Sequence, residues 1–174
     1  AASDNRAASA LARSYPGGPG AFVVAMNDKA AEIGITDTVF MDASGLHSGN
    51  LSTAADMARL VEAASAYPLI RRVTTTPQGA VTDRRTGREV RFVNTNRLVR
   101  GHDWDIGLSK TGFIADAGHC LVMLANVGTR PVVVVLLGSW GELSRFGDAN
   151  RVKKWLVDAD RKALSALNFA HLSP

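Results

Sequence analysis

Hydrophobic positions recur at helical spacing in the first third of the chain and at strand spacing after it. Ala7, Ala8, Leu11 and Ala12 fall on one side of a segment from Asn5 to Ser14, which breaks at Tyr15-Pro16-Gly17-Gly18. The spacing of Phe22, Val23, Met26, Ala30 and Ile33 predicts a second helix from about Pro19 to Ile33. Proline suits its first turn and Gly34 supplies its stop. Thr53 opens a third helix, with Asp56 three residues on in the manner of a capping box and Met57, Leu60, Val61 and Ala64 as its apolar face. Tyr67-Pro68 ends or bends it. Between the second and third helices, Asp42 to Asn50 is rich in turn formers and reads as a plain loop, one that could border a ligand.

From Val73 the period changes. Val73-Thr74-Thr75-Thr76 is strand-like, and Val81 to Val93 predicts a charged, half-exposed hairpin around Arg85-Thr86-Gly87-Arg88. Three stronger strands follow, at about Gly107–Ile114, Gly118–Asn126 and Pro131–Gly138, with links short enough for an antiparallel ladder. A last helix runs from about Glu142 to Leu167, with Val152, Trp155, Leu156, Ala159, Ala163 and Leu167 as its buried stripe. The expected fold class is α+β: an antiparallel sheet flanked by helices on both faces, with residues 1–72 mainly helical and 73–174 carrying the sheet and the C-terminal helix. Pro131 to Leu137 is apolar on both faces, so helices must cover both. It also needs a neighbour on each edge, and the chain offers only one good strand beside it. Either the weak hairpin folds over the other edge or a partner strand is missing, and we prefer the missing strand.

The 174 residues are 46% hydrophobic, 21% charged and 6% aromatic, the profile of one globular domain. The formal net charge of +4 is a mild excess that reads as spread along the chain, which argues against a nucleic-acid partner. A single cysteine, Cys120, excludes an internal disulfide and a cysteine-based zinc site. His47 and His102 have no metal-ligand spacing, so no metal and no cofactor is expected. The apolar runs are strand-length, too short for a membrane-spanning helix. The start, Ala1-Ala2-Ser3-Asp4-Asn5, has neither Met nor a leader, and reads as the inside of a longer protein.

Two short motifs carry the chemistry. Ser3-Asp4-Asn5 stands at the start of a helix, and Lys110-Thr111-Gly112 lies on a strand. Each alone is weak, since the first is also an ordinary helix cap. Together, in this order and on these elements, they belong to the Ser-x-x-Lys, Ser-Asp-Asn, Lys-Thr-Gly motif set of penicillin-binding proteins and class A β-lactamases. The stretches Thr38 to Leu46, Ser52 to Met57, Asn94 to Leu98 and Ser144 to Ala149 resemble the low-molecular-weight D-alanyl-D-alanine peptidases of family S11. Trp104 to Phe113 is most similar to the penicillin-binding protein 7 type of endopeptidase. The resemblance runs from Ser3 to about Trp155. One departure is large: no serine here has Lys three residues later, so the family's nucleophile motif is absent from this sequence.

The resemblance implies an incomplete β-lactamase/transpeptidase-like fold, the C-terminal portion of a periplasmic serine hydrolase that cleaves D-alanyl-D-alanine bonds in peptidoglycan and is acylated by β-lactams. It implies two further strands upstream, one of them beside Pro131–Gly138. This chain alone is expected to be inactive, its partners being peptidoglycan peptide, β-lactams and the missing N-terminal part of the same protein. Ser3, Asn5 and Lys110 are then catalytic: Ser3 relays a proton to the leaving amine, Asn5 holds substrate amide and a catalytic lysine, and Lys110 supplies positive charge that keeps that lysine neutral. Thr111 and Arg145 bind the substrate carboxylate. Gly112 lets a peptide lie along the strand, and the Phe113 N–H contributes to an oxyanion hole. Endopeptidase and carboxypeptidase both remain open, as do a class A β-lactamase-like fragment and a non-catalytic peptidoglycan-binding homologue. His119 reads as structural, Cys120 as a small buried apolar residue, and Trp104 and Trp155 as packing, with Trp104 near enough in sequence to line the cleft.

Overall fold

The computed structural model describes residues 2–170, with side chains through Leu164. Helix α1, Asn5–Arg13, is capped by Asp4, whose carboxylate accepts from the N–H of Arg6 at 2.8 Å and of Ala7 at 3.3 Å. The predicted stripe on α1 is mostly exposed: Leu11 faces solvent and only Ala12 is buried. Helix α2, Gly18–Glu32, begins with Pro19 in its first turn and ends before Gly34, whose φ of +74° favours glycine. Asn27 on α2 clamps the following loop, accepting from the Phe40 N–H at 2.9 Å and donating to its carbonyl at 2.8 Å.

Helix α3, Ala54–Ser65, uses half of the expected capping box. The Thr53 hydroxyl accepts from the Asp56 N–H at 3.1 Å, but the Asp56 carboxylate turns away to Asp37, Thr38 and Arg59. Pro68 does not bend α3; it starts a new helix, α4, Pro68–Thr75. The strand expected at Val73 to Thr76 is therefore helical through Thr75, with Thr76 as the cap where the backbone turns extended. Its threonines satisfy their hydroxyls on the carbonyls of Arg71 and Arg72, which suits a short, ending helix.

Strands β1, Gln78–Thr82, and β2, Glu89–Val93, form a separate two-stranded sheet. A 3-10 turn at Arg97–Arg100 leads into β3, Asp105–Ile114, then β4, Gly118–Val127, and β5, Arg130–Ser139. These three are antiparallel in the order β3-β4-β5, and the last helix, α5, is Ser144–Ala170. Gly118 has φ +65°, and a Cβ there would lie 3.2 Å from the Gly138 carbonyl carbon, so the β4–β5 end closes only around glycine.

The core lies between the sheet and α5. Leu121, Met123, Ala125 and Val127 alternate along β4 and meet Trp104, Val134, Phe146 and Ala149. Leu156 and Val157 extend that face, whereas Trp155, Ala159 and Ala163 of the expected stripe are exposed because the helix is rotated toward Phe146 and Ala149. Leu167 lies outside the residues whose side chains are described. Of the N-terminal helices, α3 packs on the other face of β4 and β5, and Val122, Val133 and Val135 there are only half-buried. The hairpin does not cover β5. That strand pairs with β4 on one side and with no described strand on the other, so the unpaired edge expected from the sequence is present. Trp104 is in the core, its indole N–H donating to Asn150 at 2.8 Å; it borders a separate hollow with Leu98 and Phe146 and does not line the cleft that holds Lys110. Cys120 is half-buried, at the end of the sheet where cover thins out.

Candidate active site

Strand β3 is the other edge of the sheet, and its open side forms the floor of a groove of about 660 Å³. The Asp4 cap places Ser3 and Asn5 at the mouth of α1, facing that floor. The Lys110 ammonium donates to the Ser3 hydroxyl and to the Thr111 carbonyl. Ser3 has φ +55°, the one non-glycine residue with positive φ among the described residues. Such a conformation costs about 1–3 kcal/mol and persists where surroundings impose it, commonly at functional sites. Desolvation, and then the positive charge of Arg145, hold the Lys110 ammonium below the usual lysine range. The exposed Asn5 side chain lines the same groove.

Arg145 enters from the first turn of α5. It is 6% exposed, and its Nε and Nη1 have no hydrogen-bond partner. Burial lowers its pKa, against the opposing pull of Glu142 and Cys120. A cation at a helix N-terminus is also opposed by the helix dipole. A buried guanidinium with two unpaired nitrogens in that position suits an anion arriving from the groove. The guanidinium rests 4.9 Å from the Phe146 ring centroid, which orients it.

Thr111 is buried, and its hydroxyl donates to that of Thr95 at 2.7 Å. Gly112 is open: a Cβ there would meet nothing nearer than the Cys120 Cβ at 3.8 Å, an ordinary contact. Phe113 is exposed and stacks on His119, ring centroids 4.2 Å apart. All seven residues singled out in the sequence, Ser3, Asn5, Lys110, Thr111, Gly112, Phe113 and Arg145, line this one groove.

The structure adds residues that sequence reading passed over. Asn94 is buried and donates to the carbonyls of Thr74 and Thr76, while the Asn94 and Asn96 carbonyls turn the backbone by accepting from Asn96 and Leu98. This turn holds Thr95 beside Thr111. The signal was the Asn-Thr-Asn spacing, which favours successive side-chain-to-backbone turns. The Asp42–Asn50 loop, read as a plain loop that could border a ligand, does reach the groove through Ser44, Gly45 and Leu46. Asp42 organises it, accepting from Ser44, Gly45 and Asn50, and those hydrogen bonds outweigh burial to hold its carboxyl below the usual range. His47 is spent on this loop, its Nδ1 accepting from the Gly49 N–H at 2.9 Å.

Comparison with known proteins identifies the family. The model of the Peptidase S11 family, D-alanyl-D-alanine carboxypeptidase, matches residues 1–140. A D-alanyl-D-alanine endopeptidase of Pseudomonas aeruginosa is 43% identical over 164 residues, covering 94% of this chain and 53% of its own length. One of Escherichia coli is 43% identical over 154 residues, covering 88% of this chain and 50% of its own length. The chain thus spans about half the length of these curated relatives. Among solved structures, the Streptomyces K15 DD-transpeptidase superposes with a TM-score of 0.78 at 28% identity, over 86% of this chain and 61% of that one. Penicillin-binding protein D2 of Listeria monocytogenes, solved with cefotaxime bound, gives 0.74 at 29% identity, over 87% of this chain and 60% of that one. With its fold, its paired motifs and a family match over most of its length, the chain belongs to the S11 family of D-alanyl-D-alanine peptidases.

Proposed function

We propose that this chain is the part of a serine-type D-alanyl-D-alanine endopeptidase that shapes the substrate groove, and that the nucleophile comes from a Ser-x-x-Lys segment outside this sequence. The observation that carries the reading is the Lys110 to Ser3 hydrogen bond inside a groove that also holds Asn5, Thr111, Gly112 and Arg145. The 43% identity to two endopeptidases supports cleavage of peptidoglycan cross-links over removal of a terminal D-alanine. Family membership supports a peptidase over a class A β-lactamase-like fragment.

The chemistry is acyl transfer. The supplied serine oxygen attacks the carbonyl of a D-alanyl peptide bond. The C–N bond breaks, the amine leaves with a proton, and water later hydrolyses the ester. Ser3 delivers the proton to the amine, held in place by Lys110. Lys110 adds positive charge that favours the neutral form of the supplied lysine, which can then act as a base. Arg145 and the Thr111 hydroxyl receive a substrate carboxylate, the latter once it turns from Thr95. Gly112 leaves room for a peptide to add to the β3 edge. The Phe113 N–H, with that of the supplied serine, polarises the scissile carbonyl. The unpaired edge of β5 and an apolar hollow formed by Phe22, Met26, Ile33, Phe40 and Leu60 support docking of the segment that carries the nucleophile. We assign the protein to the periplasm; among the described residues no helix is long and apolar enough to cross a membrane.

Labelling with a fluorescent penicillin tests this. The 174-residue chain alone stays unlabelled, and the full-length protein with a Ser-x-x-Lys segment is labelled once per molecule. Stoichiometric labelling of any serine in the chain alone refutes the external nucleophile, and a full-length protein that never labels refutes the peptidase reading.

A further inference from the structure

The positive charge is concentrated, not spread as the mild overall excess suggests. Residues 71–100 hold eight arginines and two acids, a net +6 in a chain of total +4, which leaves −2 for all the rest. Both acids are already engaged. Asp83 accepts from the N–H groups of Arg85 and Thr86 in the hairpin turn, and Glu89 pairs with Arg91 at 2.7 Å. Among the described residues the other seven arginines have no carboxylate partner, whereas six ion pairs occur elsewhere.

Of these arginines Arg100 lines the groove itself, and the hairpin that carries Arg84, Arg85 and Arg88 joins the groove through Val93. Strand β2 ends at Val93, which lines the groove together with Asn94, Thr95 and Arg100. From Val93 the hairpin runs outward for five residues to Arg88, roughly 16 Å at strand spacing. A ligand that touches both the groove floor and the hairpin tip is therefore a polymer, and one rich in anions. Guanidinium groups bind carboxylates through paired hydrogen bonds, and their planar fork suits a peptide's carboxylates.

We propose that the β1–β2 hairpin, led by Arg84, Arg85 and Arg88, is an accessory docking surface for carboxylate-bearing peptide strands of the polymer whose bond lies in the groove. The identity of that polymer rests on the peptidase reading; the docking surface rests on the charge and its placement. Continuity with the groove favours one polymer spanning both over an anionic bilayer, although the exposed Val81–Val90 pair gives the hairpin an apolar side. The hairpin also holds few neighbours of its own, and an isolated two-stranded ribbon is marginal in water, so a bound polymer steadies it.

Co-sedimentation of the 174-residue chain with purified peptidoglycan tests the proposal. The triple variant Arg84→Ser, Arg85→Ser, Arg88→Ser is expected to bind roughly tenfold more weakly, and the corresponding triple Arg→Lys variant to recover part of the loss. Added salt weakens the parent more than the serine variant, because exposed charges are screened. Amidating the polymer's carboxylates removes the parent's advantage. Thermal melting shows that both variants fold. Equal binding by parent and serine variant overturns the proposal, as does tighter binding to phosphatidylglycerol vesicles than to peptidoglycan. If full-length protein fails to label with penicillin while the serine variant still loses polymer binding, the peptidase reading falls and the docking surface stands.

Discussion

The Lys110 ammonium donates to the Ser3 hydroxyl, joining a strand edge to a helix mouth across 107 residues of sequence. Neither residue is held there by its neighbours in the chain alone. Asp4 caps α1 and so fixes where Ser3 leaves the helix. Pairing of Lys110 with Val122 in β4 fixes the height of the lysine on the sheet.

Lys110 titrates below the ordinary lysine range, and Arg145→Met raises its pKa by removing the neighbouring positive charge. Between the lowered folded value and the unfolded 10.5 the unfolded chain binds the extra proton, so this group's contribution to stability grows as pH rises through that window. Titration of the Lys110 side chain by NMR in both proteins checks the direction. An unchanged pKa in the variant contradicts the coupling.

Arg145→Met leaves the chain at least as stable as the parent, because it removes a buried cation with unpaired nitrogens. Affinity for a carboxylate ligand in the groove falls roughly tenfold to a hundredfold, the loss of a charge-assisted hydrogen bond or two. Melting curves and calorimetric titration with an acyl-D-alanyl-D-alanine peptide separate the two effects. A strongly destabilised variant shows instead that Arg145 is structural.

Gly112→Ala shifts stability by less than about 1 kcal/mol, since the new methyl meets only ordinary van der Waals contact at 3.8 Å. Peptide binding nonetheless weakens, because the methyl stands where a ligand strand would approach. Binding that matches the parent places the peptide elsewhere.

Leu121→Ala destabilises the fold by about 2–5 kcal/mol. Leu121 has no exposed surface and lies in the layer between β4 and α5, where little can collapse into the space. Urea melts of both proteins give the number directly.

Acid is expected to weaken the hydrogen-bond clusters around Asp56 and Asp42. Asp56 is fully buried; burial alone would raise its pKa, but hydrogen bonds from Thr38 and Asp37 and the charge of Arg59 lower it, and Asp42 is lowered likewise by its loop. For depressed carboxyls the stabilisation is present above the unfolded value near 3.8 and is lost as pH falls below it. Asp56→Asn therefore has a lower melting temperature at pH 7 than the parent, and the gap narrows toward pH 3. A gap that is constant with pH rules out the ionised form as the source.

The strands were readable because their chemistry is local. Alternation along Leu121, Met123, Ala125 and Val127 marks one buried face, and glycines at the turns bound the ladder. The run Val73 to Thr76 misled for the same reason: β-branched side chains suggest a strand, yet Pro68 starts a helix there and the hydroxyls bond back to its carbonyls. The rotation of α5 was also hidden, since Trp155 and Leu156 sit on adjacent positions and only packing chooses which one faces the sheet.

Sequence by itself determined the family, the order of elements, and the residue types able to relay a proton or hold a carboxylate, because those reside in short motifs and in periodicity. Tertiary structure decided that Ser3 and Lys110 touch, that Arg145 is buried with two of its nitrogens unpaired, and that Thr95 and the Ser44–Leu46 loop share the groove. Those facts depend on how distant segments pack, and no local pattern encodes a distance between residues 3 and 110.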